Sequence, residues 1–251
     1  MTTDRAYWIT WYNLFDANRD AHLKWVEQSY MPKVLAREGV LWGAHYASLA
    51  PGEYTPLGGA GGRIAHKPHP QGVPAGDRYI LIFGAADAYA LANPTPAEFH
   101  AMFNDADKAM LAQRVDARHN IMLEEGRVEG DALAHYTPGL MPAEAIQLGS
   151  FQPGHWQDED EQAAWYARWR LPSLKSLPGC LRVRKLVSVA GWAKHACFYE
   201  FTSVEDREKH FVHYEAVRPD MVKWSTEVVL NTLHAPGSAN IARRVAVLMK
   251  K

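Results

Sequence analysis

The feature that most restricts what this chain can fold into is an internal repeat. Residues 22–41 align without a gap on residues 162–181, an offset of 140 throughout. Trp25 falls on Trp165, Pro32 on Pro172, Gly39 on Gly179 and Leu41 on Leu181, with apolar Met31 and Leu171 also in register. A repeat of this period points to two copies of one structural unit, each burying its own apolar face. The 251 residues suit two compact units, and 47% hydrophobic against 22% charged residues supply ordinary cores.

Around each copy of the repeat the same order of elements is expected. Strand-forming runs precede it at Tyr7 to Leu14 and Ala145 to Phe151, and follow it at Val40 to Ser48 and Cys180 to Val189. A third run comes at Arg78 to Gly84 and at His195 to Phe201. Helical periodicity then extends over Pro96 to about Glu125 and Ser203 to about Leu233, the second opened by Ser203 as an N-cap with acidic residues behind it. Ile241 to Met249 reads as a closing strand of the second copy, and no equivalent is evident in the first.

The order β-α-β-β-α-β is that of a ferredoxin-like unit, an antiparallel sheet with helices on one face. Its other face needs a cover, and a two-copy chain supplies one. The expected fold class is α+β, with two ferredoxin-like units packed sheet to sheet as a pseudo-twofold α+β barrel. The units are residues 1–140, carrying a Gly/Pro-rich insertion at about 50–77, and residues 141–251. The insertion, with Gly58-Gly-Ala-Gly-Gly62, reads as a surface loop of lid-like composition.

A formal net charge of -1 with scattered basic residues excludes the electrostatic footprint that nucleic acid or an anionic membrane surface requires. The expected partner is a small molecule. Two cysteines, Cys180 and Cys197, are expected as buried thiols, and with no apolar leader or spanning stretch a cytoplasmic location is expected. Pairing of two units within one chain removes the need for a homodimer without preventing one.

The run Trp-x6-Pro with Gly seven residues further on, placed on the first helix of such a unit, resembles the dimeric α+β barrel superfamily. The likeness is greatest to EthD-like proteins, as a tandem fusion of two copies, and rests on Trp25 to Pro32 and Trp165 to Pro172. The resemblance implies a small-molecule protein, since relatives include lactone isomerases, polyketide cyclases, decarboxylases, monooxygenases without cofactors and haem-dependent enzymes. The histidine that the family places just before the hydrophobic-Pro pair is Tyr30 in the first copy and Arg170 in the second.

Candidate chemistry follows from that divergence. Tyr30 offers a phenol, a proton carrier only if a neighbour adjusts its acidity, and Arg170 a planar fork for a carboxylate or enolate. His45, flanked by small residues on the second strand, stands where the second copy has Lys185. Trp11, Asn13 and Trp42 would line an aromatic ligand, as would Trp8, Phe83, Phe151 and Tyr199. Each also has a plainer reading, as core aromatic, structural histidine or surface ion pair. His22 reads as a solvated or capping-region residue in the N-terminal part of its helix, and His100 carries no assignment. Neither His210 with His213 nor His66 with His69 has a third ligand at a telling spacing, so no metal is expected.

No phosphate loop, dinucleotide fingerprint, nucleophile elbow or Cys-x-x-Cys occurs. The expected function is a cofactor-independent lyase or isomerase on a small aromatic or lactone-type acid, as in aromatic compound catabolism. His45 and Tyr30 would move the proton, with Arg170 holding the anion. The alternatives are a non-enzymatic small-molecule-binding or stress-response module, and a haem-binding enzyme.

Overall fold

A computed structural model describes residues 3–55, 72–136, 142–212, 214 and 219–250. Nine strands alternate with short helices: β1 (Ala6–Asn13), β2 (Val40–Ser48), β3 (Tyr79–Ala85), β4 (Val115–Glu129), β5 (Ala145–Pro153), β6 (Cys180–Ala190), β7 (His195–Phe201), β8 (Thr232–His234) and β9 (Asn240–Met249). The helices are α1 (Arg19–Trp25), α2 (Met31–Leu35), α3 (Tyr89–Ala92), α4 (Pro96–Ala101), α5 (Asp105–Leu111), α6 (Glu159–Trp165), α7 (Val204–Asp206) and α8 (Pro219–Leu230).

Antiparallel pairing runs β4-β1-β3-β2 through the first half of the chain and β9-β5-β7-β6 through the second. Seams at β2–β9 and β4–β6 join the two sets into a ring of eight strands, with β8 appended to the end of β5. The two sheets are thus hydrogen-bonded edge to edge, and closure leaves the ring no open edge. At eight strands the interior is just wide enough for side chains to fill. Tyr7, Ile9 and Trp11 of β1 meet Trp42, Ala44, Ile82, Met122, Leu148, Leu186 and Phe198 there, all buried. The alternate residues face outward and form two further cores beneath the helices, one centred on Trp8, Tyr12, Tyr30 and Phe83, the other on Trp165, Val183, Tyr199 and Phe211.

The repeated residues have repeated reasons. Pro32 and Pro172 each follow a single wide π-type turn, Val26–Tyr30 and Tyr166–Arg170, in which Met31 N–H reaches back to the Val26 carbonyl and Leu171 N–H to that of Tyr166. Proline has no N–H and its ring collides with the carbonyl four residues back, so a widened turn just before it relieves both problems. Gly39 and Gly179 take φ +77° and +76°, and a Cβ at either would lie 2.5 Å from Ala90 Cβ or 2.6 Å from Asp206 Cβ. Trp25 donates its indole N–H to Asp107 (2.8 Å) and Trp165 to Ser225 (3.1 Å), tying the repeated helix to a later helix of the same half.

The periodicity over Pro96 to Glu125 is not one helix. It splits into α4 and α5, each capped by a side chain, and then enters β4, the strand that sequence reading does not find in the first half. Ser203 caps α7 as expected, accepting from Asp206 N–H. Cys180 and Cys197 are buried free thiols. The central part of the 50–77 insertion, with Gly58 to Gly62, His66 and His69, lies outside the described residues, as does His213. No helix among the described residues is long and apolar enough to cross a membrane.

Candidate active site

The outward face of the first half gathers a cluster of phenol, imidazole and guanidinium groups. Tyr12 on β1 and His45 on β2 point to the same side; the phenol oxygen lies 2.9 Å from His45 Nε2 and the rings stack at 5.9 Å. Tyr30, delivered by the π-type turn, places its hydroxyl 2.7 Å from His100 Nε2. Arg114, in the loop between α5 and β4, stands over both phenols, its guanidinium carbon 4.7 Å from each ring. Its Nε lies 3.5 Å from His22 Nε2, and its buried Nη2 has no hydrogen-bond partner among the described residues.

Electrostatics follow from the packing. Burial, with the positive Arg114 nearby, depresses His45 to about 3 and His22 and His100 to about 4, so all three are neutral imidazoles at neutral pH. Burial pushes Tyr12 and Tyr30 upward, and Arg114 opposes it. The group is two phenol–imidazole hydrogen bonds facing one guanidinium. Such an arrangement can pass a proton between phenol and imidazole and hold an oxyanion against the unpartnered nitrogen.

The second half inverts the chemistry at matching positions. Arg170, 4% exposed, donates to Tyr199 (3.1 Å) and to Tyr214, over a bed of Trp165 and Phe211. Lys185, where the first half has His45, donates to Glu125 (2.9 Å) and pairs with His195 Nδ1 (2.7 Å). A cleft of about 250 Å³ between α6 and α8 is lined by Asp158, Glu161, Gln162, Glu227, Asn231 and Thr232, and contains no histidine.

Of the residues singled out from sequence, Tyr30 and His45 come together in one cluster. Arg170 lies in the other half, buried among phenols and not on the surface. The space beside His45 is filled by Tyr12 and Tyr79. Trp11 and Trp42 face the barrel interior, Trp42 Nε1 donating to Asp4 (3.2 Å), and Asn13 Oδ1 accepts from the backbone N–H groups of Asp77 and Arg78. His22 is fully buried, so its expected solvation is corrected: tilted ring contacts with Tyr12 and Trp25 hold it inside. His100 and Arg114 gave no sequence signal, being alone in polar helix and loop segments. Only the register of the sheet and the packing of α4 bring them under Tyr30.

An axial haem ligand needs a ring nitrogen free to face an open volume. Of the described residues in this cluster, His45 and His100 each have Nε2 engaged by a phenol in packed surroundings, so the cluster does not fit haem. Among the described residues no three His, Cys, Asp or Glu side chains gather to hold a metal ion either.

No protein-family model matches the sequence, and no curated protein matches it in sequence. Solved structures do match in fold. A proposed monooxygenase from Fusobacterium nucleatum superposes with a TM-score of 0.58 at 10% identity, covering 100% of this chain and 96% of its own. An anthrone oxidase-like protein gives 0.59 at 11% identity, covering 98% and 94%, and a proposed chlorite dismutase gives 0.52 at 11%, covering 97% and 96%. The likeness shows the fold, a closed antiparallel barrel of the dimeric α+β barrel type. It also corrects the functional expectation: these neighbours are named for oxidative reactions, against a cofactor-independent lyase or isomerase. A fold resemblance spanning many chemistries had no means of choosing among them.

Proposed function

We propose that the protein is an oxidoreductase that uses dioxygen to oxidise a small aromatic compound, at the cluster of Tyr12, Tyr30, His45, His100 and Arg114. The observation that carries this reading is the pair of phenol–imidazole hydrogen bonds under a guanidinium with an unpartnered nitrogen. The oxidase and monooxygenase names of the fold neighbours agree with it. A fitting substrate has a methylene group activated by flanking aryl or carbonyl groups, as in an anthrone. Loss of one proton gives an enolate, whose oxygen Arg114 would bind. Dioxygen then takes the electrons. The methylene carbon loses both hydrogens and becomes a carbonyl, one oxygen atom of dioxygen enters that carbonyl, and the other leaves with the two hydrogens as water. The neutral imidazoles accept the proton through the phenols, and the bound enolate offsets the charge of the imidazolium so formed.

We also infer that the chain is a tandem fusion of two EthD-like units, residues 1–140 and 141–251, related by a pseudo-twofold axis. The repeat at offset 140, the shared π-type turn and the like order of pairing support this. On this reading the copies diverged so that the phenol of Tyr30 serves proton transfer while Arg170 stiffens the second half.

Oxygen uptake with a panel of anthrones and naphthols tests the reaction. The expected product has gained one oxygen and lost two hydrogens, and Arg114→Met or Tyr30→Phe lowers kcat/KM by about 10²-fold. Equal uptake by both variants would remove these residues from the site. A ligand that raises the melting temperature without oxygen uptake by any compound would instead make the protein a binding module.

A further inference from the structure

The two ends of the barrel interior differ in how their charges are settled. At one end Arg184 is ion-paired to Glu200, Asp4 and Glu124, Arg127 to Asp4 and Glu124, and Arg182 to Glu200 and Glu129. Every guanidinium there meets a carboxylate. At the other end stands Arg118, an inward residue of β4 that is 7% exposed. Its Nη1 lies 3.4 Å from Ser150 Oγ, while Nε and Nη2 are buried without an acceptor among the described residues.

The guanidinium lies 3.8 Å over the ring of Trp11, whose own Nε1 is likewise buried without an acceptor. Asp77 acts on Arg118 through its field but lies beyond ion-pair distance. Its Cβ packs on Gly237 and its backbone carbonyl accepts from Asn240 and Ser48, which fixes the backbone there, while its carboxylate and Arg118 act on each other only through space. Burial draws Arg118 down to about 9, which leaves it charged at neutral pH.

Three buried nitrogens on two stacked side chains, all of them donors, thus lack acceptors among the described residues. A buried donor without a partner costs about 1–3 kcal/mol, more when charged. The Nε–Nη2 edge of a guanidinium matches two oxygens of a planar oxyanion, and aromatic stacking holds that edge in a fixed plane.

We propose that this end of the barrel is a binding site for a small planar oxyanion of the carboxylate class, clamped by the Nε–Nη2 edge of Arg118 with the Trp11 indole N–H beside it. The site lies on the inner face of the sheet and is independent of the oxidation proposed for the outer face.

Thermal shift at constant ionic strength, with chloride as the balancing ion, tests it using formate, acetate, nitrate and sulfate. The expected result is a saturable rise in Tm with the three planar anions, absent in Arg118→Met. With chloride as the sole anion, Arg118→Met is expected to melt no lower than the native chain, since it removes a buried unpaired charge. Should that variant fail to fold, Trp11→Phe, which deletes only the N–H edge, is expected to raise the half-saturating concentration about 10-fold. Nitrate and carboxylate arms separate an inorganic from an organic occupant. A shift that is largest with sulfate, or equal in native and variant chains, would mean that ordered water serves these donors, and the proposal fails.

Discussion

His45 and its neighbours illustrate how a side chain's chemistry is set by what surrounds it. An imidazole in water titrates near 6.5, whereas His45, 1% exposed and stacked on Tyr12, is held at about 3. Below about pH 6.5 the unfolded chain takes up a proton that the folded chain refuses. The folded pKa being depressed, the stability from a neutral His45 is complete above that pH and is lost as the pH falls towards about 3. One such histidine steepens the loss by at most ~1.4 kcal/mol per pH unit. His22 and His100 act in the same direction. His45→Gln, which keeps a partner for the Tyr12 hydroxyl but cannot titrate, is expected to flatten the curve of urea-unfolding free energy between about pH 6 and 4. An unchanged slope would mean that His45 is solvated or already charged in the fold. Alternation along β2 sets His45 on the face opposite Trp42 and Tyr46. Its partners could not be read, because Tyr12, Tyr79 and Arg114 reach it from three other segments.

At the scale of elements, what could be read from sequence was the set of segments whose burial is uniform. β2 and β7 lie where Val40 to Ser48 and His195 to Phe201 were expected, because aromatic and other apolar residues dominate both. The sequence of β4 reads as helix for an equally physical reason. Its inward positions are Arg118, Asn120, Met122 and Glu124, so the face that is normally apolar carries charge, and Ala, Met, Leu and Glu favour helix. Only closure of the barrel, which gives Glu124 its arginines, makes that pattern sensible. The interior these strands enclose is tightly filled. At Gly84 on β3 an added Cβ would lie 2.2–2.5 Å from three atoms of the Trp42 indole, itself 2% exposed and anchored to Asp4. Gly84→Ala is expected to destabilise the fold by about 1–3 kcal/mol through overpacking, lowering Tm by roughly 2–4 °C per kcal/mol for a chain this long. A melting temperature equal to that of the native chain would show that Trp42 has room to move.

For the whole molecule the repeat does not say what fastens the first part of the chain to the second. Besides the strand seams, the fastening is ionic: Arg184 from the second half reaches Asp4 and Glu124 of the first while also holding Glu200 beside it. Glu200 in turn accepts from the Ala143 N–H at the start of the second half (2.8 Å), and Tyr46 of the first half donates to the Ala143 carbonyl (2.9 Å). The apolar middle of the barrel therefore ends in a desolvated polar layer that neither half completes alone. Such a layer contributes little net stability compared with apolar packing, yet losing one member leaves its partner charged and buried. Glu200→Gln keeps the shape and removes the charge opposite Arg184, with an expected cost of about 3–5 kcal/mol. A paired change, Glu200→Leu with Arg184→Met, removes both charges and is expected to recover most of that loss. Chemical denaturation of the three chains decides the matter. If the double variant is as unstable as the single, the layer acts through its hydrogen bonds to the backbone and not through charge pairing. If the single variant is unaffected, water reaches this end of the barrel, and the contrast between its satisfied end and the unpartnered Arg118 end disappears.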